Sequence, residues 1–414
     1  MGSDLVPARS QRRHGTFAVV GTSAALLVLG LGALRVFDQF EYSVWDLRVQ
    51  TLSAPSAVTP LIDVILVDQS SLVWVEKYQG QSWPWPREYF GLVANFLTQA
   101  GAKVSIFDVL FDQPSDLAGD DETFASFLAQ NGRVVLAEAV EPRSEGFVSL
   151  PPVEPLASSV AALGHVSSSP DSDGTNRRII PLLTLANGTQ VPSLALAAWS
   201  LGTGRPIPLE QQADSLLRYR GPQKTHPTWS AAQVLRSAIQ LRDGEKPDLD
   251  PSLFRDHYVF FGYSAPGLMD LRPSPGDPRY PGVEIHATHL DNLLVGDAPR
   301  VPAWYGTSLM VVVWAVASAW AVGRLRRATA TAPVFLLAVA LPVAAGWAAY
   351  AAGWWWPVVP PVVAGLVAGL AMLLVNYAGE GRQRRFIQNA FRQYLSPEVI
   401  QQLVEDPSCL LVSE

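Results

Sequence analysis

Three apolar runs stand almost end to end near the C-terminus, roughly Tyr305–Val322, Pro333–Ala352 and Trp354–Tyr377, and they constrain this chain more than any other feature. Each is close to the ~20 residues that a bilayer-spanning helix needs. None carries the polar face that a soluble core helix of ~10–15 residues would show. A fourth run, Phe17–Leu34, stands alone near the N-terminus, and between it and the cluster lies a long segment of ordinary globular composition. The chain reads as a cytoplasmic N-terminus (1–16), a transmembrane anchor (17–34), an extracytoplasmic domain (35–303), three further spans (304–377) and a cytoplasmic linker (378–414).

Basic residues orient it. Arg9, Arg12 and Arg13 precede the first span, Arg324, Arg326 and Arg327 fill the turn after the second, and Arg382, Arg384 and Arg385 follow the fourth. Lys and Arg stay on the cytoplasmic side, so both termini are expected inside and the large domain outside a plasma (inner) membrane. The remaining connection has no charge but holds Trp354, Trp355 and Trp356, the aromatic belt of an interface. The first run ends Leu34-Arg35-Val36-Phe37 rather than in a small-residue cleavage site, which favours an anchor over a signal peptide. A net charge of −7 argues against nucleic acid as a partner. The single cysteine, Cys409, lies in the cytoplasmic tail, so the outer domain has no disulfide and must hold itself together by burial.

The outer domain reads as α/β. Phe37–Leu52 has helical spacing with an apolar face of Phe37, Phe40, Val44 and Leu47, flanked by Asp46 and Arg48. Leu61–Val67, Ala102–Phe111 and Arg133–Ala139 read as buried strands, separated by helices from Pro86 to Gln99 and from Asp120 to Gln130. Right-handed crossovers then imply a mostly parallel, three-layer sheet. Pro142–Pro155 reads as an excursion loop. Short strands around a turn at Gly174, a helix over Pro192–Leu201, a strand over Leu216–Gly221, a short helix over Ser230–Ser237, a strand over Tyr258–Tyr263 and a helix over Glu284–Val295 follow.

In open parallel sheets ligands bind beyond the carboxyl ends of the strands. A ligand pocket would therefore draw on Asp68, Asp108, Asp112, Asp173, Arg177 and Arg178, with Trp83, Trp85 and Arg87. The alternative is that the aspartates cap helices and turns and the arginines pair with them. DSDGT (Asp171–Thr175) has the opening of a calcium loop, but Leu182 stands where the twelfth-position acid belongs, so it reads as a turn. His286 and His289 lie one helical turn apart without an evident third ligand, so no metal is expected. GYSAPG (Gly262–Gly267) lacks the spacing of a nucleophile elbow, and no catalytic motif stands out.

WPWPR (Trp83–Arg87), FDVLF (Phe107–Phe111), GHVSSSPDSDGTNRR (Gly164–Arg178), YRGP (Tyr219–Pro222), VFFGYSAPGLMD (Val259–Asp270) and PGVEIHATHLDNLL (Pro281–Leu294) occur in that order. Together, over roughly residues 35–300, they resemble the type-two CHASE domain, the cyclase/histidine-kinase-associated sensory extracellular domain. The resemblance implies a bacterial membrane receptor with an outside sensor, three following spans and a cytoplasmic output: a class III nucleotide cyclase, a kinase or a diguanylate cyclase. It implies no binding residues, and the extracytoplasmic ligand stays unknown.

In the tail, Phe386, Ile387, Ala390, Phe391 and Tyr394 form a helical stripe, and Ser396 and Pro397 suit the cap and first turn of another helix. FRQYLSPEVIQQLVEDP (Phe391–Pro407) resembles the transducing element before class III adenylate and guanylate cyclase domains. Phe386, Phe391, Tyr394, Ser396 and Pro397 are the expected signal relay, pairing across a homodimer. The short tail cannot hold a cyclase or kinase, and Asp406 is its only aspartate. The expectation is the sensor and membrane half of a receptor adenylate (or guanylate) cyclase whose catalytic domain would follow Glu414. No cofactor is expected in this chain, and a divalent metal only in that further domain. The alternative is a stand-alone, non-catalytic membrane sensor, and a kinase or diguanylate cyclase output is a further one.

Overall fold

The computed structural model describes residues 7–144, 146–208, 214–325 and 328–391. In chain order α1 (Pro7–Ala33) and α2 (Asp38–Leu52) are followed by β1 (Ile62–Val67), α3 (Gln69–Gln79), α4 (Arg87–Ala100), β2 (Val104–Phe107) and α5 (Asp120–Asn131). Next come β3 (Val134–Arg143), β4 (Gly146–Leu150), α6 (Leu156–Ser159), β5 (Ala162–His165), β6 (Ser168–Ser169), β7 (Arg178–Ile179), β8 (Leu182–Thr184) and β9 (Gln190–Pro192). Then follow α7 (Leu194–Thr203), β10 (Ser215–Leu216), β11 (Thr228–Ser230), α8 (Ala231–Arg242), β12 (Tyr258–Tyr263), β13 (Leu271–Ser274), β14 (Asp277–Pro281) and α9 (Gly282–Val295). The last helices are α10 (Trp304–Arg324), α11 (Ala332–Ala351) and α12 (Val359–Phe391). The chain divides into two units, Trp45–Arg300 and the two stretches on either side of it.

The inner unit is built on a seven-stranded sheet in the order β11-β1-β12-β2-β3, with β5 and β4 both pairing β3. Every pairing but β3–β4 is parallel. β12, late in sequence, sits between β1 and β2, with Ile62 opposite Tyr258 and Val104 opposite the same residue on the other side. Side chains alternate between the two faces of a strand. Ile65, Val67, Phe107, Leu136 and Phe261 accordingly join one core with Phe90 and Leu97 of α4, Phe124 of α5 and Leu235 of α8. Val64, Leu66, Ile106, Val135 and Phe260 join a second core with Leu194 of α7 and Val283 and Leu290 of α9. The apolar strands therefore have no solvated face, which is why they read as continuous hydrophobic runs.

Several details depart from the sequence reading. Pro142–Pro155 holds the return of a hairpin rather than a plain loop: Val140 pairs Ser149, and the Ser149 hydroxyl donates to Glu138. α3 was not anticipated, because only Ser71 and Val75 of its residues are buried. The Leu216–Gly221 strand shrinks to Ser215–Leu216, and the short helix at Ser230 extends to Arg242. α2 buries the opposite side from the one expected. Phe40 and Leu47 are 65 % and 48 % exposed, whereas Trp45, Arg48 and Val49 are buried. Arg48 lies over the Trp45 ring, 5.4 Å from its centroid, so a cationic side chain lies on the buried side through its stacking.

Among the described residues the flanking unit contains four helices long and apolar enough to cross a membrane, within Gly15–Ala33, Trp304–Arg324, Ala332–Ala351 and Val359–Gly379. Small residues let them approach. A Cβ on Gly21 would fall 2.5 Å from the Val316 backbone, and one on Gly365 would meet Trp314 and Ser318. The Gly365/Gly369 pair thus serves packing of α12 against α10 and α11 within the chain. Trp314 Nε1 donates to the Ala338 carbonyl at 3.2 Å, and Asn376 Nδ2 to the Val322 carbonyl at 3.3 Å. The buried Glu41 carboxylate accepts the backbone N–H groups of Val358 and Val359, both at 2.9 Å, and Trp355 Nε1 at 3.4 Å. It occupies the N-terminus of α12, where orphan donors and the helix dipole favour an anion.

Candidate functional site

The carboxyl ends of β2, β5 and β12 point the same way, because the three strands are parallel members of one sheet. Beyond them lies a cavity of about 270 Å³. Asp108, the residue after β2, reaches it, while its backbone N–H is still held by the Phe261 carbonyl at 2.8 Å. Tyr263 ends β12 and forms part of the wall, packed edge-on against Trp83 with centroids 5.3 Å apart. Ser167 and Ser168 follow β5.

The chain after β12 supplies the opposing wall. Ser264 and Ala265 both donate their N–H groups to the Val67 carbonyl at 3.1 Å, a tight turn leads to Met269 at φ +54, and Asp270 follows. Gly282, the first residue of α9, donates to the Asp270 carbonyl at 2.9 Å. A Cβ at Gly282 would lie 2.4 Å from Asp270 Oδ1, so the carboxylate can rest there only because the residue is glycine. Arg272 Nε stands 3.6 Å from Asp270 Oδ1, and Arg178 and His286 complete the polar lining.

Two carboxyls dominate the electrostatics. Burial pushes Asp108 up to about 7, and Arg272 offsets this only in part. Burial and the charge of Asp108 push Asp270 to about 7 as well. Like charges in one partly desolvated site resist joint ionisation, so the pair holds a proton near neutrality. Burial drives His286 down to about 4, and it is neutral. His165 and His289 are likewise buried and lowered to about 3. Among the described residues no group of three or more His, Cys, Asp or Glu side chains could hold a metal ion.

Of the residues singled out from the sequence, Asp108 and Arg178 line this cavity, and Trp83 backs it through Tyr263. The others lie outside its lining. Asp68 caps α3, accepting from the Ser71 N–H at 2.7 Å. Burial would raise it, but hydrogen bonds from Ser71 and Ser70 hold it below the usual range. Trp85 is packed in the core beside Phe90, and Arg87 lies over Phe111 and bonds Asp121. Asp112 is exposed. Arg177, 1 % exposed, donates to both oxygens of Asp46 (2.7 and 2.6 Å), both of Asp173 (2.9 and 2.8 Å) and to Asp171 (3.2 Å). Adjacent arginines share Asp171: Arg177 ties α2 to the DSDGT turn, and Arg178, which lines the cavity, sets its Nε 3.4 Å from Asp171 Oδ1. Phe386 and Phe391 lie on α12, while Tyr394, Ser396 and Pro397 lie outside the described residues.

Asp270, Arg272 and Tyr263 also line the cavity without having been singled out from the sequence, and His286 was weighed there only as a metal ligand. Asp270 closes the VFFGYSAPGLMD motif and Tyr263 ends a buried strand, so a strand-end rule applied to β12 would have found both.

No curated protein and no solved structure matches this chain. The family model described as the CHASE2 domain matches residues 23–323, well over half of its length. The chain is therefore a member of the CHASE2 domain family.

Proposed function

We propose that this protein senses an extracytoplasmic ligand at the Asp108–Asp270 cavity and passes the signal through its four apolar helices to a cytoplasmic output. The observation that carries this reading is the cavity itself. It lies beyond the carboxyl ends of parallel strands, where α/β sheets bind ligands, inside a domain of a sensor family. The helices on either side of that domain have the length and composition of membrane spans. Cores against both faces of the sheet support a three-layer arrangement. The arginines at Arg9–Arg13, Arg324–Arg327 and Arg382–Arg385 favour both termini inside a plasma membrane.

The finer reading is the sensor half of a receptor adenylate (or guanylate) cyclase acting as a homodimer. Its support is the resemblance of Phe391–Pro407 to a cyclase transducing element and the continuation of α12 to Phe391. Ligand binding would shift a population between two packings of the paired α12 extensions. Translating the native reading frame beyond Glu414 tests it. A βαβ pattern with two separated metal-binding aspartates is expected, and an in-frame stop would overturn the cyclase reading. Orientation is tested with Ser172→Cys in a Cys409→Ser background. An impermeant maleimide should label intact cells, and labelling only after lysis would reverse the topology.

A further inference from the structure

We propose a second ligand site, on the C-terminal half of α9, that takes a small uncharged molecule, apolar except for one hydrogen-bond acceptor that meets His289 Nε2. It stands independently of the reading of the Asp108–Asp270 cavity.

A cavity of about 250 Å³ lies between α7, α9 and the chain that follows each of them. Leu196 and Trp199 line it from α7, Leu293 from α9, and Pro208 and Ala298 from the connections after those helices. Among the described residues no Asp, Glu, Lys or Arg lines it, so a charged ligand would lose its water there without a partner. A dry apolar cavity of about 150 Å³ is enough for benzene, so this one has room for such a ring with a short substituent. Trp199 supplies an aromatic wall for the ring.

The polar groups select the substituent. His289 lines the cavity and is 2 % exposed. Its Nδ1 stands 3.3 Å from the Ser193 hydroxyl, and its Nε2 is buried with no partner among the described residues. The Ser193 oxygen already accepts the Leu196 N–H, at 3.3 Å, as the cap of α7. Among the described residues the Ser193 proton finds an acceptor only at His289 Nδ1, which leaves the ring proton on Nε2. Burial keeps the imidazole neutral, lowered to about 3. A buried N–H without an acceptor is unfavourable, and a carbonyl oxygen in the cavity would satisfy it. The Asn292 amide is already engaged, its Oδ1 by the Arg218 N–H at 2.8 Å and its Nδ2 by the Arg218 carbonyl at 3.0 Å, so His289 does the selecting. His286, one turn earlier on α9, lines the Asp108–Asp270 cavity, so the two sites bear on successive turns of one helix.

The test is photolabelling of the full chain in lipid nanodiscs with para-azidoacetophenone, whose carbonyl is the acceptor and whose azide marks what lies within reach, with labelled peptides read by mass spectrometry. Labelling should concentrate on peptides covering α7 and the C-terminal half of α9. Acetophenone should compete at about tenfold lower concentration than ethylbenzene, which is matched in size but has no acceptor, as one hydrogen bond implies. His289→Leu should erase that advantage, and His289→Gln, which keeps a donor, should retain part of it. Ala298→Phe, which fills the cavity and leaves His289 in place, should abolish labelling and guards against a misfolded histidine variant. Equal competition by ethylbenzene would overturn selection by His289. Labelling that falls elsewhere, that survives Ala298→Phe or that never appears would overturn the site itself.

Discussion

The two ends of α9 place carboxylates in opposite circumstances. Near its C-terminus Asp291 is fully buried, yet Arg220 Nη2 reaches it at 2.6 Å and the Thr59 hydroxyl donates to it at 2.6 Å. Burial would raise Asp291, but His226, Thr59 and Arg220 together hold it below the usual carboxylate range. Arg220 spends its other donors on Asp297, at 2.8 Å twice. At the N-terminal end Asp108 and Asp270 share Arg272, which is half-exposed, and both are raised to about 7. One cluster is closed on itself and holds the fold together. The other is left incomplete beside a cavity, and incompleteness is what a binding site needs.

Breaking the closed cluster should have the largest effect. Asp291→Ala leaves Arg220 with Asp297 alone and takes the acceptor from the Thr59 and Ser56 hydroxyls, and removing one partner of a buried pair costs about 3–5 kcal/mol. Thermal unfolding of the purified chain should show a large fall in Tm or no folded protein at all. Arg177→Ala should rank next, since it leaves Asp46, Asp171 and Asp173 facing one another. Arg177→Lys should recover only part of the loss, because an ammonium cannot serve three carboxylates with a planar fork.

The open pair should respond with the opposite sign. Both carboxyls ionise near 3.8 in the unfolded chain and near 7 in the folded one. Between those values the folded state binds more protons, so the pair's contribution to stability is fully present below about pH 4 and is lost as pH rises toward 7. Asp108→Asn should therefore raise Tm by a few degrees at pH 8, on the order of ~1 kcal/mol, with the gain fading toward pH 4. A fall in Tm at pH 8 would place Asp108 with the structural aspartates. Gly282→Ala should act more weakly, displacing the Asp270 carboxylate its Cβ would strike. The smallest effect is expected from Glu41→Gln, which keeps one acceptor at the α12 N-terminus and should lower the melting temperature by about 1 kcal/mol equivalent or less.

This contrast also divides what could be read from the sequence. The spans were legible because four long apolar runs carry no charged residue, and β1, β2 and β12 because they are buried on both faces. Gly101 and Gly174 marked their turns through positive φ. Asp108 and Arg178 could be singled out as polar residues next to strands. Their partners could not, since Asp270 joins Asp108 only because β12 inserts between β1 and β2, a pairing set by contacts more than 150 residues apart in sequence. The buried face of α2 was misjudged for a related reason. Arg48 is buried against Trp45, and hydrophobic periodicity does not mark a buried cation.

The most direct test is an infrared titration of the carboxyl groups of the full chain from pH 5 to pH 9, taken as the difference between the wild type and Asp270→Asn. A protonated-carboxyl band that fades near pH 7 in the wild type and is weaker in the variant by the Asp270 contribution, with the Asp108 and Glu284 contributions kept, is the expected result. No such band, with every carboxylate ionised by pH 5, would contradict the claim that this sensor keeps an incomplete acid pair at its cavity.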